Sequence, residues 1–192
     1  MFIKDWKKDV FTIPNLLSFF RLALLPIYTY VYLKATEPAH YYTAGGILAV
    51  SCLTDAIDGQ IARRYNMIST LGKILDPLAD KITQFALTLC LSVKYPHLRP
   101  VLCLFIVKES FQLIAGIFHL RRGRMLPGAL MAGKVCTTVL FVSLTLLVLL
   151  PGIPAGIVDT IAVMDTGFLM ISFVSYMYAY LSKNTKVRDI ES

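Results

Sequence analysis

The sequence D-A-I-D-G-Q-I-A-R-R-Y-N-M-I-S-T-L-G-K-I-L-D-P-L-A-D runs from Asp55 to Asp80 and sets four aspartates between two strongly apolar segments. Asp55 and Asp58 are three residues apart, and Asp76 and Asp80 are four apart, so each pair falls on one face of a helix. A charged side chain at the centre of a membrane costs about 2.5–3.5 kcal/mol or more, and such residues usually mark functional sites. We therefore expect a functional acidic site that requires a compensating cation.

The composition indicates a polytopic membrane protein. The chain has 192 residues, of which 56% are hydrophobic and 16% are charged, outside the usual range of soluble globular proteins. Apolar stretches long enough to cross a bilayer, about 20 residues each, cover residues 13–33, 39–62, 76–94, 100–120, 129–150 and 157–181. The predicted fold class is therefore all-α, with six transmembrane helices in one membrane domain.

The segments around these spans have their own predicted structures. The membrane domain comprises residues 13–182, and the charged and large apolar side chains of residues 1–12 predict a short amphipathic helix lying on the membrane. Residues 183–192 are predicted to form a cytoplasmic tail. Asp159 and Asp165 interrupt the start of the last span, so we expect residues 152–165 to form an outer loop or a surface helix.

Positive charge is distributed unevenly along the chain. Most of the nineteen Lys and Arg residues lie at the two ends and in the connections that follow the second and fourth spans. Because cytoplasmic loops collect positive charge, both termini and the acidic site are predicted to face the cytoplasm. The net charge of +7 then indicates a surface attracted to anionic membrane lipids. A nucleic-acid partner is not expected, since it would require a basic soluble domain.

The four aspartates form an all-oxygen ligand set contributed by two neighbouring helices. Such a set can hold one or two divalent cations and favours magnesium, manganese or calcium over zinc. Two cations held in this way would neutralise a diphosphate and stabilise an in-line displacement at phosphorus. If three aspartates hold the cations, the fourth is available to deprotonate an attacking alcohol.

The residues between the aspartates suit a nucleotide diphosphate. Gly59 and Gly72 allow a base or ribose to approach the helix backbone closely, and Ala62 continues this bare strip. Arg63 follows Gly59 by one helical turn and can bind phosphate oxygens with its planar fork. Each glycine alone favours ordinary helix packing, whereas their joint spacing favours the nucleotide site.

The same stretch resembles a known family. The pattern D-x2-D-G-x2-A-R-x8-G-x3-D-x3-D is the signature of the CDP-alcohol phosphotransferases, and this chain matches every fixed position of it. The matching residues are Asp55, Asp58, Gly59, Ala62, Arg63, Gly72, Asp76 and Asp80. The six spans, the cytoplasmic termini and the opening T-I-P-N-L-L-S-F-F-R at residues 12–21 are also similar, so the resemblance covers nearly the whole chain.

The resemblance implies transfer of a substituted phosphate from a CDP-linked donor to an alcohol, with release of CMP and with two divalent cations, Mg²⁺ or Mn²⁺. It implies that Asp55, Asp58 and Asp76 bind these cations, and that Asp80 is the general base and also a metal ligand. The CDP site would be formed by Asp55, Asp58, Gly59, Ala62, Arg63 and Gly72. Homodimers are common among members of the family, so a homodimer is expected here.

Two residues at the start of the first span are further candidates. Asn15 and Arg21 would lie near the donor if the resemblance holds there. An ordinary helix start and a cation that snorkels towards the membrane surface explain them equally well.

The acceptor alcohol is expected to be of the glycerol type. G-K-I-L-D-P-L-A-D-K, at residues 72–81, is similar to the phosphatidylglycerophosphate synthase subgroup, which uses CDP-diacylglycerol and glycerol 3-phosphate. An acceptor phosphate needs nearby cations, and Lys134, in the apolar context A-G-K-V-C, is the best single candidate. The other candidates are Lys108, Arg121, Arg122 and Arg124. The three arginines are equally consistent with a solvated basic loop.

Two departures from that subgroup keep a second acceptor open. Its members carry an R-E pair and a further Arg on the fourth span, whereas this chain has Lys108 and Glu109 and no following Arg. They also carry G-K-x-K-T on the fifth span, where Cys136 stands in place of the second Lys. The stretch K-E-S-F-Q-L-I-A-G-I-F resembles the cardiolipin synthases of the same family, whose acceptor is phosphatidylglycerol. Glycerol 3-phosphate is expected first, and phosphatidylglycerol is the alternative.

A cation transporter is the alternative of another class, because acids inside a membrane also mark ion pathways. The aspartates cluster near one membrane face and share their stretch with an arginine and two glycines, which favours the enzyme. The small size of the chain further indicates a bacterial protein of the cytoplasmic membrane.

Overall fold

The structure is a computed structural model that describes residues 12–64, 72–121, 124–125, 130–150, 152–181 and 188–189. In these ranges the chain forms six long α-helices: α1 (Ile13–Leu33), α2 (Pro38–Arg64), α3 (Gly72–Lys94), α4 (Arg99–Arg121), α5 (Met131–Leu149) and α6 (Ala155–Leu181). A 3₁₀ turn, Pro96–Leu98, precedes α4. Two short strands, β1 (Arg124–Met125) and β2 (Arg188–Asp189), pair antiparallel, with Arg124 opposite Asp189. The predicted all-α fold is confirmed.

Four segments of the described chain are long and apolar enough to cross a membrane: Asn15–Leu33, Pro96–His119, Met131–Leu149 and Ala155–Leu181. These spans make the chain an integral membrane protein. The helices α2 and α3 fall outside this group because they contain the charged residues of the signature, which lower their apolar character. The prediction of six helices is confirmed for the described residues, whereas a count of six spans is not.

Two sequence predictions concern the ends of the chain. The amphipathic helix predicted for residues 1–12 lies outside the described residues apart from Thr12, and so does most of the predicted tail. The outer loop or surface helix predicted at the start of the last span is wrong, because α6 is continuous from Ala155. Both acids are accommodated within that helix: Asp165 is fully buried, and Asp159 Oδ1 lies 3.2 Å from His97 Nδ1.

One compact unit comprises Met1–Cys90 and Val148–Pro151, and in it α1 packs along α2. The buried face of α1 repeats every three or four residues, as expected for a helix with one face against a neighbour. Its members are Asn15, Ser18, Arg21, Leu25, Tyr28 and Tyr32. The face is therefore polar where the helix begins and aromatic where it ends, where the ring of Tyr32 lies 5.4 Å from that of Tyr41 on α2.

The second unit comprises Leu91–Leu147 and Gly152–Ser192, and in it α4 packs against α6. Aromatic contacts hold the two helices together: the ring of Phe111 lies 5.4 Å from that of Phe173 and 6.2 Å from that of Tyr180. The Tyr180 ring also lies 5.1 Å from that of His119. Such pairs contribute about 0.5–1.5 kcal/mol each beyond the area that they bury.

A buried polar contact joins α5 to α6 in the same unit. The hydroxyl oxygen of Ser143 lies 2.7 and 2.9 Å from the two carboxylate oxygens of Asp165, and 3.0 Å from the carbonyl oxygen of Leu140. Both side chains are buried. Hydrogen bonds of this kind between membrane helices compensate the cost of placing a polar group in an apolar environment.

The start of α5 requires a glycine, which gives a first prediction. A Cβ at Gly133 would lie 2.5 Å from the hydroxyl oxygen of Tyr176 and 3.0 Å or less from two of its ring carbons. Gly133→Ala is therefore expected to lower the free energy of unfolding by about 1–3 kcal/mol, the usual cost of overpacking. Thermal unfolding of the purified protein in detergent measures this change.

Gly167→Ala is the matched control, because a Cβ at Gly167 would meet nothing within 4 Å. This variant is expected to be at least as stable as the parent, since alanine is the better helix former. Equal unfolding temperatures for the two variants would show that the close approach of Tyr176 to Gly133 does not affect the stability of the protein.

Candidate active site

The polar end of the buried face of α1 is part of the candidate site. Pro14 occupies the first turn of the helix, where its missing N–H has no partner to lose. Asn15, Ser18 and Arg21 then follow at intervals of three residues, and all three are buried. This spacing brings three polar side chains to one face of a helix that is otherwise apolar.

Arg21 connects all three helices of this part of the chain. Its Nη1 donates a hydrogen bond of 2.7 Å to Oδ1 of Asp80 on α3 and forms an ion pair with Oδ1 of Asp55 on α2. The guanidinium is nearly fully buried, with 4% of its side chain exposed, whereas the side chains of Asp55 and Asp80 are 45% and 52% exposed. The two carboxylates therefore converge on one nitrogen and are each about half exposed.

The remaining aspartate of α3 is held from the same face of α1. The Ser18 hydroxyl donates a 2.7 Å hydrogen bond to Oδ1 of Asp76. Gly72, Asp76 and Asp80 follow at intervals of four residues along α3, so they lie on one side of that helix. Asp55 also interacts electrostatically with Asp76 and Asp80. The structure thus brings together three of the four aspartates predicted from the sequence, with Gly72 buried at the start of the helix.

The remaining signature residues are placed only in part. Asp58, Gly59, Ala62 and Arg63 lie in the last turns of α2, but their side chains fall outside the described part of the structure. The predictions for these four residues therefore stay predictions.

The donor set of the described aspartates has the chemistry of a divalent cation site. Carboxylate oxygens are the ligands that Mg²⁺ and Mn²⁺ prefer, and those of Asp55 and Asp80 already converge on one cationic nitrogen. Within the described residues, however, no three His, Cys, Asp or Glu side chains are grouped closely enough to hold an ion by themselves. By donor chemistry the residues fit a divalent cation, and Asp58 is the candidate for the further ligand.

The candidates for the acceptor lie in the second unit. Lys108 is buried, with its Nζ 2.6 Å from Oε1 of Glu109 and 5.9 Å from the centre of the Tyr176 ring. Lys134, the best candidate from the sequence, has an exposed side chain, and so does Arg121. Arg122 and the side chain of Arg124 lie outside the described residues. Lys108 is thus buried and paired with Glu109, whereas Lys134 is exposed.

Sequence reasoning missed Ser18 and left Arg21 undecided between two explanations. The signal that could have found both is their spacing, because a serine and an arginine three residues apart share one face of an apolar helix. A buried charge needs a partner of opposite sign, and the signature provides four aspartates that can serve as such partners.

The amino-acid sequence of this chain is similar to that of a known protein family and to those of several individual proteins. The family described as CDP-alcohol phosphatidyltransferase matches residues 11–180. A CDP-diacylglycerol–glycerol-3-phosphate 3-phosphatidyltransferase from Aquifex aeolicus is 35% identical over 160 residues, which cover 83% of this chain and 82% of the relative.

Two relatives carry a different name. A cardiolipin synthase (CMP-forming) from Rattus norvegicus is 42% identical over 122 residues, covering 62% of this chain and 38% of the relative. One from Streptomyces coelicolor is 35% identical over 147 residues, covering 74% and 67%. The match thus spans well under half of the rat protein. Because the family match covers the signature, the acidic residues described above and nearly all of the helical domain, this chain belongs to the CDP-alcohol phosphatidyltransferase family.

Proposed function

We propose that this protein transfers the phosphatidyl group from CDP-diacylglycerol to a glycerol-type alcohol and releases CMP. The observation that carries the proposal is the convergence of Asp55 and Asp80, from two different helices, on one buried cationic nitrogen. Nothing in a purely structural role requires carboxylates to meet in this way within a membrane protein. The family match and the relative from Aquifex aeolicus support the same reaction.

The proposed roles follow from the chemistry of the side chains. Asp55, Asp58 and Asp76 would hold two divalent cations, Mg²⁺ or Mn²⁺, which when bound neutralise the diphosphate of the donor. Ser18 donates to Oδ1 of Asp76 and so fixes the orientation of that carboxylate. Gly59, Ala62, Arg63 and Gly72 would form the CDP site together with the acids of α2.

Asp80 would act as the general base. It accepts the proton of the acceptor hydroxyl while the hydroxyl oxygen forms a bond to the phosphorus that carries the diacylglycerol. The bond from that phosphorus to the bridging oxygen breaks, and CMP leaves with both electrons of the bond. The partial exposure of Asp80 supports this role, because a general base must be within reach of the alcohol that it deprotonates.

Glycerol 3-phosphate is the proposed acceptor, which would give phosphatidylglycerol phosphate. The relative from Aquifex aeolicus supports this acceptor because the match covers most of both chains. Phosphatidylglycerol is the second candidate, which would give cardiolipin. It is favoured by the higher identity to the rat cardiolipin synthase and by the sequence around Lys108 and Glu109.

The proposed setting is the bacterial cytoplasmic membrane, with both termini and the acidic residues facing the cytoplasm. The distribution of Lys and Arg along the chain supports this orientation. A homodimer is proposed from the family resemblance alone.

An acceptor panel tests the proposal. The purified protein is incubated with Mg²⁺ and labelled CDP-diacylglycerol, and with glycerol 3-phosphate, phosphatidylglycerol, inositol phosphate or serine, and the lipid product and CMP are identified. Formation of phosphatidylglycerol phosphate is the expected result, and cardiolipin would establish the second acceptor. Ion flux in vesicles without nucleotide, together with no CMP in any arm, would support a transporter instead.

A second prediction concerns the acceptor. We propose that Lys108 contributes positive charge to its binding, because a buried ammonium is screened less than an exposed one. Lys108→Met keeps the length of the apolar stem and removes the charge. It is expected to raise the KM for the acceptor about tenfold, the value of one charge-assisted contact. Steady-state kinetics with varied acceptor and saturating donor measure this change.

Two further variants make this prediction specific. Lys134→Met is expected to raise the acceptor KM less, since its exposed side chain interacts through solvent. Lys34→Met, at the exposed C-terminal cap of α1, is the matched control and is expected to behave like the parent. An unchanged acceptor KM in Lys108→Met would remove Lys108 from the acceptor site.

A further inference from the structure

Two of the three nitrogens of the buried Arg21 guanidinium make no hydrogen bond to the described part of the chain. Nη1 contacts Asp55 and Asp80, whereas Nε and Nη2 are buried and have no hydrogen-bond partner among the described residues. The residue as a whole is 3% exposed, so bulk water does not satisfy these groups either. The guanidinium of Arg21 therefore has one nitrogen that is paired with carboxylates, Nη1, and one edge, formed by Nε and Nη2, whose N–H groups are unsatisfied within the described ranges.

An unsatisfied edge of a guanidinium is selective for one class of ligand. All five N–H groups of arginine are donors and none can accept, so only an acceptor can satisfy them. Nε and Nη2 point to the same side of the planar group and form a fork that matches two oxygens of a phosphate or a carboxylate. Leaving buried donors of a charged group unpaired costs free energy, and an anion that binds there recovers it.

We propose that Arg21 binds the diphosphate of the donor through its Nε and Nη2 edge, while Nη1 keeps its contact with the acidic side chains. This inference rests on the proposed function, which brings a diphosphate to the acids that Arg21 contacts. Asp55 and Asp80 orient the guanidinium, because two carboxylates on one nitrogen leave the plane little freedom to rotate. Arg21 then supplies one of the positive charges that a diphosphate requires beside four aspartates.

The test is the contribution of the diphosphate to nucleotide binding. CDP and cytidine are titrated into the purified full-length protein with Mg²⁺, and the ratio of their two affinities is determined by calorimetry. Arg21→Lys keeps the positive charge but replaces the planar fork by a single ammonium. This ammonium is expected to pair with Asp55 and Asp80, which leaves no second edge for a phosphate. This variant is expected to bind CDP about 10-fold to 100-fold more weakly, with its affinity for cytidine unchanged.

Arg64→Lys is the matched control, since Arg64 is the exposed last residue of α2, and it is expected to keep the CDP affinity of the parent. An Arg21→Lys variant that still prefers CDP over cytidine as strongly as the parent would overturn the inference and leave the proposed function intact. A parent protein that does not distinguish CDP from cytidine would remove the proposed function as well.

A second arm separates the donor from the acceptor as the source of the phosphate. Glycerol 3-phosphate is titrated into the same three proteins, and Arg21→Lys is expected to bind it as the parent does. Weaker binding of glycerol 3-phosphate with unchanged binding of CDP would assign Arg21 to the acceptor and overturn the inference.

An experimental structure of the parent protein with CDP and Mg²⁺ gives an answer that does not depend on the stability of any variant. Phosphate oxygens within about 2.7–3.2 Å of both Nε and Nη2 of Arg21 are expected. A diphosphate bound away from Arg21 would contradict the proposal.

Discussion

Asp80→Asn is expected to lower turnover about 10²–10⁴-fold, the usual contribution of a general base, while the affinity for CDP-diacylglycerol stays close to that of the parent. Asparagine has nearly the same shape as aspartate, and its amide oxygen can still accept the hydrogen bond that Arg21 Nη1 donates to Asp80. The variant therefore loses the capacity to take up a proton and retains its main protein contact. Single-turnover release of CMP and a separate donor-binding titration measure the two quantities.

Asp159→Asn is the matched control for this substitution. Asp159 lies on α6, where its carboxylate is partly exposed and contacts His97, and it has no proposed role in the reaction. This variant is expected to turn over at the rate of the parent. If Asp80→Asn also turned over at that rate, Asp80 could not be the base.

Removal of divalent cations is expected to abolish turnover, and addition of Mg²⁺ or Mn²⁺ is expected to restore it. Asp76→Asn should raise the Mg²⁺ concentration needed for half-maximal activity, because the variant has one fewer anionic oxygen for a hard cation. This increase in the required Mg²⁺ concentration should exceed roughly 10–100-fold, which is the usual effect of removing a residue that only hydrogen-bonds to a metal ligand. A Mg²⁺ titration of activity measures the concentration needed for turnover, and a Mg²⁺ titration of the thermal unfolding temperature measures cation binding independently of turnover.

Ser18→Ala provides the graded comparison. It removes the hydroxyl that donates to Asp76 but leaves every carboxylate in place, so its Mg²⁺ requirement should lie between those of the parent and Asp76→Asn. Full activity after treatment with a chelator, or identical Mg²⁺ titrations for the three proteins, would contradict the assignment of Asp76 as a metal ligand.

The helices themselves were largely predictable from the sequence, because apolar runs of about 20 residues have few alternatives in a membrane protein. The predicted second span, residues 39–62, corresponds to α2 (Pro38–Arg64), and the predicted last span corresponds to α6 once its start is extended to Ala155. The start of the last span was mispredicted because a hydropathy scale assigns every aspartate to the surface, whereas Asp165 is buried. Its contact with Ser143, 22 residues earlier in the chain, cannot be read from local composition.

The acidic residues of the candidate site were also predictable, since their spacing places them on helix faces whatever the details of packing. The partners of those acids were not. Ser18 and Arg21 lie 58 and 59 residues before Asp76 and Asp80, and only the packing of the helices brings them together. Lys134 was selected for its apolar neighbours in the sequence, but these neighbours do not indicate the burial of a side chain on a membrane helix, and that of Lys134 is exposed.

The buried contact between Asp165 and Ser143 has a consequence for biogenesis. Asp165 lies near the middle of α6. An acidic side chain without a hydrogen-bond partner at this depth raises the free energy of transfer from the translocon into lipid by about 2.5–3.5 kcal/mol. Because its partner lies on α5, the nascent sixth helix gains its compensating hydrogen bond only if the fifth is still beside it. The two segments should therefore leave the translocon as a hairpin, and a ribosome-bound chain that ends after α6 should insert that helix less efficiently when Ser143 is replaced by alanine.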